Sequence, residues 1–303
     1  MLESLMIVLL PLFLGYTIKI RRLDWVKKIN QGITSLMFFI LFLIGISLGQ
    51  LDDFLQQLPV IGFTACLFAS AILICNLIVL FFYDRAFPHT VVVRKVEIPS
   101  RAALFIESLK FPLVIFIGFI CGVITKTWLI LPHALSTYVL VLLVFLVGIQ
   151  LRNNGITLRQ VFFHRRGIII ALLVTVSSLI GGIIAALFTD MPIVQGLALA
   201  SGMGWYSLSS VLINDAWGAV FGSIAFFNDL LREMASFLLI PLLIHRFRSI
   251  GVGISGAAAL DCTLPIIQRS GGIEVVPLAI SFGFVLNLIV PIFLVLFTSI
   301  PIN

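Results

Sequence analysis

Apolar residues in this chain run in long blocks separated by short polar connectors. A bilayer core of about 30 Å takes about 20 residues of helix, at about 1.5 Å rise per residue. Blocks that fit this length lie near 2–18, 31–50, 59–83, 111–126, 135–151 and 167–188, and two more, near 230–247 and 273–300, read as full crossings beside less regular sequence. Two other apolar stretches are interrupted. Segment 193–229 is broken by Gly202, Gly204 and the polar run Tyr206, Ser207, Ser209 and Ser210, and segment 251–272 is glycine-rich and carries Asp261 and Pro265. Irregular backbone at membrane depth is tolerated only where it is buried in protein or lines a watery cavity. The pattern therefore predicts an all-α integral membrane protein of about eight transmembrane helices with two broken or re-entrant segments. Ten crossings with two broken helices is the alternative.

Basic residues choose the orientation. Lys19, Arg21, Arg22, Lys27 and Lys28 follow the first block, and Arg85, Arg94, Lys95, Arg101 and Lys110 lie between the third and fourth. Arg152, Arg159, Arg165 and Arg166 follow the fifth, and Arg246 and Arg248 the seventh. Eight crossings put all of them on one side, which the positive-inside rule makes the cytoplasm, so both termini are expected outside. Segment 193–229 then enters and leaves from the outer side, and 251–272 from the cytoplasmic side. The first apolar block reads as a retained span, because no cleavage site and polar mature region follow it.

Composition agrees with lipid as the solvent. Of 303 residues 61% are hydrophobic and 11% charged, where soluble domains carry about a quarter charged. The net charge of +6 sits in connectors, so it orients the protein and gives no reason to expect nucleic acid. Cys66, Cys75, Cys121 and Cys262 are scattered in apolar sequence without a CxxC or a nearby histidine, so small buried hydrophobes are expected and no metal or other cofactor.

An internal echo joins two blocks. ILFLIGISL at 40–48 and LVFLVGIQL at 143–151 share Phe, Leu, Gly, Ile and Leu in register, and at the same offset Leu55 and Gln57 meet Leu158 and Gln160. The copies are an odd number of crossings apart, which suggests inverted halves, 1–83 and 111–188, within one transmembrane domain spanning 1–303. Inverted repeats let a transporter expose a central site alternately to either side. Short apolar matches also arise by chance.

Charge inside apolar blocks carries the chemistry. Asp229, Arg232 and Glu233 stand at i, i+3 and i+4 of the seventh block and are expected on one helical face. Glu233 lies about 18 Å along the helix from His245, near the bilayer midplane. Asp261 sits in GAAALDCTLP beside Thr263. One reading makes both acids structural, with Arg232 paired to Glu233 and Arg269 to Asp261. The other has them face a hydrated cavity and bind a cation or a proton, which is the default for ionisable groups at this depth. His89, His133, His164 and His245 fall in connectors or at span ends and read as surface histidines. Gly181 and Gly182 read as helix packing, and Asn153 and Asn154 as capping or lining the cytoplasmic end of the fifth block.

Four polar strings in apolar surroundings, FLVGIQLRNNG (145–155), SGMGWYSLSS (201–210), FFNDLLRE (226–233) and LDCTLPIIQRSGG (260–272), together with SRAALFIESLKF (100–111), resemble the LysO lysine exporter family of bacterial inner-membrane transporters. The likeness runs along the whole chain. It implies export of L-lysine and of analogues such as thialysine, with two intramembrane acids needed for transport. Carried over by motif, those acids are Glu233 and Asp261, with Asn228, Asp229 and Arg232 in the same string.

Lysine is cationic, so exporting it against an inside-negative potential costs about 2.3 kcal/mol per charge per 100 mV. Exchange for an incoming proton makes the cycle electroneutral, and two carboxylates that hold either a lysine ammonium or a proton would couple the fluxes. Segment 201–210 would meet the substrate's other end with carbonyls, hydroxyls and the aromatic faces of Trp205 or Tyr206. The alternatives are export of another cationic amino acid or small cation, a channel, and an intramembrane hydrolase using two acids. The chain lacks the GxGD signature of intramembrane aspartyl proteases, so a transporter is expected rather than an enzyme.

Overall fold

A computed structural model describes residues 2–20, 23–50, 54–88, 110–126, 134–153, 164–260 and 263–301. Among these the regular elements are all helical: α1 (Leu2–Thr17), α2 (Leu23–Gly49), α3 (Phe54–Ala86), α4 (Lys110–Thr125), α5 (Ala134–Asn153) and α6 (Arg165–Phe188). They continue as α7 (Ile193–Ala200), α8 (Tyr206–Trp217), α9 (Ala219–Leu243), α10 (Arg248–Gly253), α11 (Leu264–Gly271) and α12 (Val276–Thr298), with 3₁₀ turns at Gly256–Leu260 and Ile273–Val275. Four are long and apolar enough to cross a membrane, over Asp24–Gly49, Gln57–Ala86, Arg165–Phe188 and Val276–Thr298; Leu113–Thr125 and Tyr138–Asn153 are shorter apolar helices. Apolar side chains such as Phe63, Phe82, Ile124 and Leu187 point outward from them, as helices bathed in hydrocarbon require.

Helices α1, α2, α4 and α5 form one group in which backbones nearly touch. Gly15 of α1 lies against the backbone of Phe145 and Ile149 in α5, and Gly148 of α5 against Leu12 and Tyr16 in α1. In the same way Gly45 of α2 meets Ile115 and Gly118 of α4 meets Phe42. A Cβ at any of these positions would run into the facing backbone. Small residues replace the hydrophobic effect as the means of association where the solvent is itself apolar.

The remaining helices can be ranked by depth along α6. α3 lies antiparallel to α6, with Ser177 Oγ donating to Asn76 Oδ1 at 2.6 Å and Gly181 seated on Ile72. After the turn at Thr189, α7 returns along α6, where Gly196 meets Gly182 and Ala186, as far as Met203, whose sulfur receives the Thr175 hydroxyl at 3.7 Å. That is about halfway. The chain breaks over 201–205 and α8 goes back to the Thr189 end, because α9 runs antiparallel beside it: Gly222 meets Ser210 and Asn214, and Asp229 meets Ser209. Helix α9 then passes the break and reaches the Arg165 end of α6, where the backbone N–H groups of Ser249 and Ile250 donate to Asp84 at the end of α3 (2.9 and 3.2 Å).

A second hairpin enters from that opposite end. Gly253 of α10 packs on Leu80 and Val174, and the following 3₁₀ turn reaches mid-depth, where Ala257 N–H donates to Met203 O at 2.9 Å. Helix α11 returns, bringing Gly271 against Ile244. The tips of two re-entrant hairpins thus meet halfway along α6. Gly256 makes the meeting possible, since its φ of 60° suits glycine and a Cβ there would collide with Met203 O.

Boundaries differ from the sequence reading at α2, which starts at Leu23 and not 31, and at the first broken segment. The first broken segment ends at Trp217, not 229, and the following helix starts at Ala219 instead of 230. Gly218, with φ 89°, turns the chain at a point where flanking residues are as apolar as the helix itself.

Candidate functional site

Where the tips meet, they leave a cleft with ≈ 530 Å³ of space, its open mouth included. The first hairpin contributes Gly204, Trp205, Tyr206 and Ser207, the second Ala257 and Ala258. Glu233 comes from α9 and Asn287 from α12, while Ile33 and Met37 of α2 and Leu143 and Val147 of α5 close the far wall. Four residues chosen from the sequence, Trp205, Tyr206, Ser207 and Glu233, therefore share one cavity. Glu233 is buried, at 2% exposure. Tyr206 hydroxyl donates to Met37 Sδ at 3.4 Å, tying the hairpin to α2.

The other acid of α9 has a different task. Asp229 is fully buried and accepts from Gly204 N–H (3.0 Å) and from the Ser209 hydroxyl (2.7 Å), so it fixes the break of the first hairpin. Gly202 must be glycine beside it, because a Cβ would overlap the carboxylate. Arg232 lies 3.6 Å from Asp229. The structural pairing weighed from the sequence, Arg232 with Glu233, is corrected: residues three apart on a helix face each other, whereas adjacent ones point about 100° apart. Asn228 Nδ2 donates to Leu199 O at 3.0 Å and holds the end of α7.

Thr263 donates its hydroxyl to Ala258 O at 2.9 Å and closes the tip of the second hairpin. Arg269 lies exposed near the far end of α11, away from the cleft. Asp261 and Cys262 lie outside the described residues. No group of three metal-ligating side chains occurs among those described.

Asn287 was missed by sequence reasoning. Its Nδ2 donates to Gly283 O (2.7 Å) and to Ala257 O (3.4 Å), so it tethers the second tip from α12 as Asn228 tethers α7 from α9. A lone amide in VLNLIVP, within an apolar helix, was the available signal.

A buried carboxylate, a neutral amide and an aromatic pair around one cavity at mid-depth are suited to an ammonium group. The sequence pattern of the family described as "Lysine exporter LysO" matches residues 113–298, which include both hairpins and every described wall of the cleft except α2. The chain belongs to this family. It is 46% identical over 299 residues to the Escherichia coli (strain K12) protein named "Lysine exporter LysO", covering 99% of this chain and 100% of that one. A Haemophilus influenzae protein named "Putative lysine exporter" is 57% identical over 188 residues, covering 62% of this chain and 96% of that protein. No solved structure gives a significant match.

Proposed function

We propose that this protein exports L-lysine, and analogues such as thialysine, across the bacterial inner membrane in exchange for protons, with Glu233 and Asp261 as the shared acidic site. One observation carries the reading: in a chain of the lysine exporter family, Glu233 lines the cleft where two oppositely entering hairpins meet. A carboxylate there can hold a lysine ammonium or a proton, and holding only one at a time is what couples their movement. Thr263, two residues from Asp261, closes the second tip.

The membrane arrangement follows from the charges. Arg85, Arg165, Arg246 and Arg248 gather at the Arg165 end of α6, which is taken as cytoplasmic, with both termini periplasmic and eight crossings formed by α1 to α6, α9 and α12. The first hairpin then opens to the periplasm and the second to the cytoplasm. Inverted halves are supported by the glycine contacts. The spacing from Gly45 to Gly148 also separates Gly15 from Gly118, and the repeat exchanges the Gly15–Gly148 crossing for the Gly118–Gly45 one.

The test is reconstitution into liposomes loaded with unlabelled lysine. Labelled lysine should enter by counterflow, and a lysine gradient should move protons the opposite way. Lysine exchange without a pH signal would remove the proton as coupling ion; no counterflow would remove lysine export by a carrier.

A further inference from the structure

We propose that the cleft also contains a seat for the α-carboxylate of the substrate, formed by the N-terminus of α8 with Ser207 as its side-chain donor. This rests on the reading of the cleft as the lysine site and adds a recognition element for amino acids as distinct from bare amines.

Helix α8 has 12 residues and begins inside the membrane-embedded part of the molecule, at the wall of the cleft. The first N–H groups of a helix have no partner within it, and the dipole favours an anion there. Here Trp205, at the cap position, makes no side-chain capping bond. Its carbonyl receives the N–H groups of Leu208 and Ser209, and Gly204 N–H is taken by Asp229. Ser207 is different. It lines the cleft at 5% exposure, and among the described residues neither its hydroxyl nor its N–H has a hydrogen-bond partner. Its hydroxyl oxygen is open to the cleft, so the acceptor it lacks within the protein has to come from what occupies the cleft. A carboxylate supplies two.

The rest of the cleft has the opposite preference. Glu233 is an acceptor, and Asn287 spends its N–H groups on Gly283 O and Ala257 O, which leaves its Oδ1 as another. Met37 and Val147 of the far wall add apolar surfaces suited to a methylene chain. The cleft thus offers a donor, acceptors and apolar surface together, the set an amino acid with a cationic side chain calls for. A diamine satisfies the acceptors and gives Ser207 no acceptor in return.

Competition against lysine counterflow, with the full chain in proteoliposomes, tests this. Cadaverine, which is lysine without its carboxylate, and lysinamide, in which the carboxylate is neutralised, should compete at least tenfold less well than lysine. Ser207→Ala should weaken lysine about tenfold while leaving cadaverine unchanged, and Ser207→Thr, which keeps the hydroxyl, should restore lysine. Equal competition by lysine and cadaverine in the unaltered protein would overturn the proposal without touching lysine export. So would a Ser207→Ala protein in which both ligands weaken alike or neither changes. If Ser207→Ala fails to fold, the comparison of the three ligands on the unaltered protein decides alone. Absence of lysine counterflow altogether would instead count against the function proposed above.

Discussion

Asp229 and Asn287 hold the two hairpin tips from neighbouring helices, the first with a charge and the second without one. At the first tip the carboxylate takes Gly204 N–H at 3.0 Å and the Ser209 hydroxyl at 2.7 Å, and Arg232 stands 3.6 Å away. At the second, an amide reaches Ala257 O at 3.4 Å and the Thr263 hydroxyl reaches Ala258 O at 2.9 Å. Buried charges are expensive to hold, and removing one member of a pair leaves the other stranded. The first tip is therefore a fixed platform whose geometry depends on a charged pair. The second is fastened by bonds that cost about 1 kcal/mol to lose. The comparison also separates the two acids of α9: Asp229 serves the fold and Glu233 faces the cleft.

The largest expected effect comes from stranding the charge. Asp229→Ala should cost about 3–5 kcal/mol by leaving Arg232 buried and uncompensated, seen as a collapse of melting temperature in detergent. The double variant Asp229→Ala with Arg232→Met should recover much of that loss. If the single variant melts like the original, the charged platform is wrong.

Next is the point where the tips touch. Gly256→Ala puts a Cβ against Met203 O at a left-handed φ, and a cost of about 1–3 kcal/mol is expected from such strain. Melting and lysine counterflow should fall together. Asn287→Leu sharpens the contrast between tips, since stability should drop by only about 1 kcal/mol, while the apparent affinity for lysine in counterflow falls several-fold. A loss as large as that of Asp229→Ala would mean that the second tip is no more loosely held than the first.

The smallest effect lies at the membrane edge. His164 Nδ1 accepts from Gly167 N–H at the start of α6, a role that needs the neutral ring. Burial, aided by the charge of Arg166, holds its pKa below the ordinary 6.5, against an opposing backbone hydrogen bond. A histidine depressed in this way contributes stability that is complete above pH 6.5 and declines as pH falls through the folded value. Melting measured from pH 8 to pH 5 should show a decline worth less than about 1 kcal/mol, and His164→Asn, which keeps a capping acceptor, should flatten it.

How far the sequence could be read depended on contrast. Trp205, Tyr206, Ser207 and Glu233 stood out as polar or aromatic positions in apolar surroundings, and all four lie on one cleft. Both breaks were visible for the same reason, since Gly202, Gly204 and the glycines of 251–272 interrupt apolar blocks. Met37 and Val147 were invisible, because an apolar residue facing a cleft and one facing lipid look alike in a sequence. The start of α9 was hidden in AVFGSIAFF, which suits a broken segment as well as a helix. Three charges on one helical stretch leave open which acid Arg232 approaches, and Asp229 is the one that stands at the spacing that faces it.

The role of Glu233 is tested most directly by lysine efflux from loaded cells carrying Glu233→Gln, with the amount of protein in the membrane checked in parallel. Glutamine keeps the size and hydrogen-bonding capacity of the side chain and removes the charge and the exchangeable proton. Normal membrane insertion and no lysine efflux above that of cells without the protein are expected. Efflux at the unaltered rate would contradict that role.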